Sequence, residues 1–132
     1  MTSPLLKVKD LSINFDTDEG ELEAIDNISF SIESGETVGL VGESGCGKSV
    51  TEHAIMRLLP QPMGRISQGS VKLNGKDLST ITLEDMGSIR GSDIGMVFQE
   101  PMSALNPVQT IGKQISESLI LHLNLSIPKA LK

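Results

Sequence analysis

Eight consecutive residues carry the clearest chemistry in this chain: Gly42-Glu43-Ser44-Gly45-Cys46-Gly47-Lys48-Ser49. They fit G-x-x-x-x-G-K-[ST] without departure, the pattern of a loop that cradles phosphate groups. Each residue type has a physical reason. Glycines let the backbone turn tightly and aim several N–H groups at one anion. A helix starting near Lys48 adds the positive end of its dipole. Lys48 supplies a point charge for phosphate oxygens. Ser49 supplies a hydroxyl for Mg²⁺, a cation that binds phosphates with few protein ligands. The bland alternative is a glycine-rich turn before a helix. The motif, however, lies between an apolar strand pattern and a helical pattern, which is the context phosphate binding requires. Cys46 fills an unrestricted position of the motif and is read as packing, with no catalytic role.

Such a loop needs elements to hold it. Residues 5–15 read as a strand whose apolar phase switches near Asp10, from Leu6 and Val8 to Leu11, Ile13 and Phe15, so a bulge or bend is expected there. Residues 16–20 read as a turn. Ile28, Phe30 and Ile32 alternate with polar residues in a second strand, and Ser34-Gly35-Glu36 reads as another turn. Thr37–Val41 is short and almost continuously apolar, which predicts a strand buried on both faces of a parallel sheet. From Lys48 the pattern is helical, with Val50, Ala54, Ile55, Leu58 and Leu59 on one face, and Pro60 and Pro62 end it. Ser70–Leu73 with Asn74-Gly75 predicts a short hairpin. Thr82 can cap a helix over 83–90. Asp93–Phe98 reads as a second buried strand, 99–107 as a loop, and Thr110–Leu123 as a helix with Ile111, Ile115 and Leu119 on one face. Ser126–Lys132 begins a further helix. His53 and His122 fall within helical patterns and are read as structural.

Composition sets the outer bounds. The chain has 132 residues, 38% hydrophobic and 21% charged, which fits one globular domain and not a disordered chain. A net charge of −6, no Trp or Tyr and three Phe argue against nucleic-acid binding. No apolar run approaches the roughly 20 residues of a spanning helix, so no membrane insertion is expected. No secretory leader pattern opens the chain. One cysteine excludes a disulfide framework. Residues 1–40 hold nine acids and two lysines, whereas 41–132 hold eight acids and nine bases; the acidic segment reads as a solvated face.

The order of these features is similar to one family. About 36 residues of antiparallel pattern precede the phosphate loop, which resembles the nucleotide-binding domain of ABC transporters. Gln99 follows an apolar strand pattern 51 residues after Lys48, in register with that family's Q-loop glutamine. The stretches VGESGCGKSVT, AIMRLLP and VFQEPMSALNPVQTIGKQI look like the ATP-binding subunits of bacterial oligopeptide, dipeptide and nickel importers. The resemblance covers residues 5–132. It implies an α/β fold, a P-loop NTPase core with an N-terminal antiparallel β subdomain. The subdomains implied are 1–36 (antiparallel), 37–109 (P-loop core up to the Q-loop) and 110–132 (the start of a helical subdomain).

The same resemblance implies roles. Gly42, Glu43, Ser44, Gly45, Cys46, Gly47, Lys48 and Ser49 would hold ATP, with Ser49 and Gln99 on Mg²⁺. Gln99 would touch the metal or the attacking water and link the site to the membrane subunits. Phe15 falls where the family sets an aromatic ring against adenine. Glu100–Asn106 would lie near the groove for a permease coupling helix. The partners implied are two permease subunits, a second ATP-binding subunit and a substrate-binding protein. The location implied is peripheral, on the cytoplasmic face of the bacterial inner membrane.

The signature motif, the Walker B strand with its general-base Glu, the D-loop and the switch His of that family have no match in these residues. The chain therefore reads as stopping before the helical subdomain is complete, with no catalytic base and negligible ATP hydrolysis expected of it alone. Two other readings compete: a truncated, non-catalytic remnant that at most binds nucleotide, and a P-loop NTPase of another family with no permease partner.

Overall fold

The computed structural model describes residues 3–100 and 104–131. They fall into two compact units, and the chain passes from one to the other between Leu83 and Glu84. Each unit is taken in turn.

The first unit is built on a four-stranded antiparallel sheet in the order β2-β1-β3-β4. Strand β1 (Leu6–Thr17) is central, flanked by β2 (Gly20–Ile32) and β3 (Gly64–Leu73), and β4 (Lys76–Asp77) closes a hairpin on β3. Leu6 faces Ile32 and Leu73, and Val8 faces Phe30 and Val71. The phase switch expected at Asp10 is real, and all three long strands share it. Asp10, Asn27 and Gly69 each adopt positive φ (48°, 48° and 88°). Because every strand inserts its extra residue at this level, Leu11 and Ile13 return to the face of Leu6 and Val8, all buried. Ser29 and Ser12 satisfy the disturbed backbone: Asp10 N–H donates to Ser29 Oγ (2.8 Å) and Asn27 N–H to Ser12 Oγ (3.0 Å). Only glycine fits at 69, where a Cβ would lie 2.3 Å from Asp10 O. Asn74 and Gly75, at φ 49° and 80°, make the tight turn into β4 that two positive-φ residues favour.

Helix α1 (Lys48–Ile55) packs against β2 and β3 and buries Thr51, Ala54 and Ile55. It is shorter than its apolar pattern predicts. Arg57 turns left-handed (φ 55°), and its Nη1 donates to Leu78 O and Ser79 O, both at 2.7 Å. The chain therefore leaves the helix before Pro60, while Leu59 still reaches the core. Arg65 ties the outer face together, donating to Asp16 Oδ1 at 2.7 Å and pairing with Glu21. The hydrogen bond and the charge of Asp16, and then the charge of Glu21, hold its pKa above the ordinary arginine value.

Helix α2 (Leu83–Ile89) leads into the second unit, with Glu84 and Asp85 in its first turn and Met86 and Ile89 buried. Helix α3 (Ile111–Leu123) begins at Thr110, whose side chain accepts from Lys113 N–H, and ends at left-handed Asn124. A short helix α4 (Ile127–Ala130) packs back on it.

Two expectations are corrected. Neither Thr37–Val41 nor Asp93–Phe98 is a strand, and neither is buried: Val41 is 94% and Val97 96% exposed. A strand buried in a parallel sheet needs ladder partners on both sides. Among the described residues the single parallel pairing is an isolated bridge between Arg90 and Ile94. The apolar face predicted for α3 is also largely open, with Ile111 and Ile115 more than half exposed and Ser116 the buried residue of that helix.

Candidate phosphate-binding site

Gly42–Gly47 is irregular backbone running into α1, which begins with Lys48 and Ser49. Its shape comes from a few contacts. Gly45 and Gly47 take positive φ (82° and 95°), and Cys46 N–H donates to Glu43 O at 3.3 Å to close the turn. Gly47 is the residue before the helix. Two requirements meet there. Its φ belongs to the left-handed region, and a Cβ on it would lie 2.2 Å from Ile25 Cδ1. Ile25 is buried on β2, so the antiparallel sheet presses directly on the base of the loop.

Lys48 curls back over the loop. Its Nζ donates to Gly42 O (2.6 Å) and Glu43 O (2.7 Å), with Cys46 Sγ at 3.5 Å. The ammonium is thus held where loop carbonyls converge. Cys46 Sγ lies on the same side: a Cβ on Gly42 would come within 2.4 Å of it. Gly42 is therefore fixed by the space its neighbour takes. Ser49 is exposed on the first helical turn. The N–H groups of Lys48, Ser49 and Val50 have no acceptor inside the helix, since the first intrahelical bond is Thr51 N–H to Gly47 O (2.9 Å). The arrangement presents unpaired helix N–H groups, one ammonium and one hydroxyl at the same end of α1, which suits a multiply charged oxyanion.

The structure gathers Gly42, Glu43, Ser44, Gly45, Cys46, Gly47, Lys48 and Ser49 into this one loop. Phe15 lies in the same unit, half-buried on β1 opposite Leu22 and Gly64, with its ring over Gly64. Gln99 belongs to the second unit and is exposed. The Glu100–Asn106 stretch lies partly outside the described residues. What is described of it joins a hydrogen-bonded turn. Gln114 on α3 accepts from Asn106 N–H (2.8 Å) and donates to Asn106 O and Gln109 O (both 3.0 Å). These residues border an open hollow of about 400 Å³ with Leu105, Ile115 and Glu117. His53 Nδ1 lies 2.6 Å from Ser49 O, one turn back on its own helix. A separate cavity of about 220 Å³ is lined by Arg57, Gln61, Arg65 and Ser79. Its two guanidiniums are already engaged by carbonyls and carboxylates.

Two contributors escape motif reading. Ile25, which braces Gly47, lies three residues before Ile28 because the Asn27 bulge intervenes, so simple alternation does not reveal it. Thr51 falls outside the eight-residue pattern; its position one turn after Gly47 is the signal that could have found it.

Comparison with known proteins bears on the whole arrangement. A family described as ABC transporter matches residues 25–130. The oligopeptide transport ATP-binding protein OppD of Bacillus subtilis (strain 168) is 48% identical over 128 residues, which is 97% of this chain and 36% of that protein. AppD of the same organism, also an oligopeptide transport ATP-binding protein, is 48% identical over 97% of this chain and 39% of its own length. The chain thus spans well under half the length of these relatives. Among solved structures, the dimeric bacterial ABC transporter cassette MJ0796 superposes with a TM-score of 0.80 at 25% identity, covering 96% of this chain and 52% of that one. A post-hydrolysis state of the same cassette, bound to ADP and Pi, matches equally.

Proposed function

The chain belongs to the ABC transporter family, and on that premise we propose that it is the ATP-binding part of an importer that couples ATP binding and hydrolysis to peptide uptake. The observation that carries this reading is the loop itself. Lys48 Nζ sits on the carbonyls of Gly42 and Glu43 at the open N–H end of α1, in a turn whose shape Gly42, Gly47 and Ile25 constrain.

The residues present fit ATP with Mg²⁺. Gly42–Ser49 would hold the phosphates, with Lys48 as the counter-charge and the Ser49 hydroxyl on the metal. Gln99 would position the metal or the attacking water, and Phe15 would stack on adenine. When bound, ATP supplies the phosphoryl group whose binding and loss drive the transport cycle. The chain's own part is to bind and orient it. No carboxylate in a strand-end position follows Gln99, and Glu117 lies within α3. For these 132 residues alone the expectation is nucleotide binding without measurable turnover. The names of the relatives point to membrane permease subunits as partners, and we extend this to two such subunits, a second ATP-binding subunit and a substrate-binding protein. The protein would then lie peripherally at the cytoplasmic face of the inner membrane. Among the described residues no helix is long and apolar enough to cross a membrane.

Titration calorimetry with MgATP and MgADP tests this. Binding to the wild-type chain, weakened at least tenfold in Lys48→Ala with an unchanged urea midpoint, is the expected result. Equal binding by the two proteins would overturn it.

A further inference from the structure

Thr51 is 2% exposed, yet it carries a hydroxyl. That hydroxyl donates to Gly47 O at 3.0 Å, and the Thr51 N–H donates to the same oxygen at 2.9 Å. Serine and threonine often bond back to the carbonyl one turn earlier, and in mid-helix this does little. Here the carbonyl belongs to the peptide that joins Gly47 to Lys48. The other end of that peptide is the Lys48 N–H, the first unpaired donor of α1 and part of the proposed phosphate cradle.

Two donors on one carbonyl draw charge towards its oxygen and leave the N–H of the same amide a stronger donor, since hydrogen bonds in a chain polarise one another. They also fix the rotation of a residue that has no side chain of its own to fix it: Gly47, at φ 95° and ψ 7°. A valine of the same shape would fill the space equally well and leave Gly47 O still bonded to the residue 51 N–H. Packing therefore gives no reason for the hydroxyl, whereas the amide it touches does. We infer that Thr51 is a positioning residue for the phosphate loop, aiming and polarising the Lys48 N–H through Gly47 O. The inference rests on the phosphate-binding reading of Gly42–Ser49.

The test compares Thr51→Val, Thr51→Ser and Lys48→Ala with the wild-type chain, using MgADP as the calorimetric probe and urea unfolding as the control for folding. Thr51→Val is expected to bind MgADP about three- to tenfold more weakly at an unchanged urea midpoint. Thr51→Ser, which restores the hydroxyl, is expected within about twofold of wild type. The Lys48 amide proton resonance, read by NMR without nucleotide, is expected to move upfield in Thr51→Val and to return in Thr51→Ser. If Thr51→Val binds as wild type does while Lys48→Ala fails, the inference falls and the phosphate loop stands. If Thr51→Ser is as weak as Thr51→Val, the effect is one of shape and the inference also falls. If the wild-type chain does not bind MgADP, the phosphate-binding reading itself fails and takes the inference with it.

Discussion

The antiparallel sheet of the first unit and helix α3 of the second treat apolar surface in opposite ways. In the first unit, Leu11, Ile13 and Leu78 are completely buried and Val8 and Val71 nearly so, because β1 is paired on both sides, with β2 next to it in sequence and with β3 far along the chain. In the second, Ile111, Ile115, Leu121 and Leu123 on α3 are each more than 60% exposed. Local polar groups there are nevertheless paired: Gln114 bonds the turn at Asn106 and Gln109, and Thr110 and Asn124 cap the two ends of the helix. The difference teaches that helix-capping and turn chemistry are satisfied locally, whereas apolar faces need partners that proximity in sequence does not guarantee. The phosphate loop draws on the well-buried unit, through Ile25 against Gly47.

If that contrast is right, substitutions should sort by unit. Leu11→Ala removes a fully buried side chain and is expected to lower stability by about 2–5 kcal/mol, measured by urea unfolding. Gly47→Ala combines left-handed strain with the Ile25 clash. A loss of about 1–3 kcal/mol is expected, together with loss of nucleotide binding. Gly45→Ala, where a Cβ meets open space, is expected to cost less, and a Gly47→Ala/Ile25→Ala pair to recover part of the loss. In the second unit, Gln114→Ala is expected to cost about 1 kcal/mol and to show as faster amide exchange at Val108 and Gln109. Ile115→Ala is expected to change stability by less than about 0.5 kcal/mol. A cost for Ile115→Ala comparable with that of Leu11→Ala would break the contrast, because it would mean that the α3 face is buried in solution.

How far the sequence announces this structure divides between local chemistry and long-range pairing, and cuts across both units. The bulge at Asp10 was readable because Leu6 and Val8 fall out of phase with Leu11 and Ile13. The Asn74-Gly75 turn was readable because its chemistry is local, and helix α3 because Ile111, Ile115 and Leu119 recur at helical spacing. The loop motif was readable as a candidate phosphate cradle because that chemistry demands rare residues at fixed spacing. What failed was long-range. Thr37–Val41 and Asp93–Phe98 have the composition of buried strands, but composition does not supply ladder partners. The early end of α1 depends on Arg57 meeting the carbonyls of Leu78 and Ser79, more than 20 residues away. The parts of β2 and β3 that pair around Phe15 are too polar or too glycine-rich to stand out, and their register comes from β1. In the site, the motif residues were legible, whereas Ile25 and Thr51, which only brace them, were not.

The grip of Lys48 on Gly42 O and Glu43 O bears on kinetics. The loop carbonyls already satisfy the loop's own cation, so in the proposed role the arrival of an anion would be an exchange of acceptors and not the folding of a disordered segment. Little chain entropy then stands between encounter and capture. In the proposed phosphate-binding role the ammonium would trade two neutral carbonyls for charged oxygens within a movement of its own side chain. Any small oxyanion of sufficient charge can begin that trade, so inorganic phosphate and sulfate should act as competitors that slow nucleotide entry in proportion to their concentration.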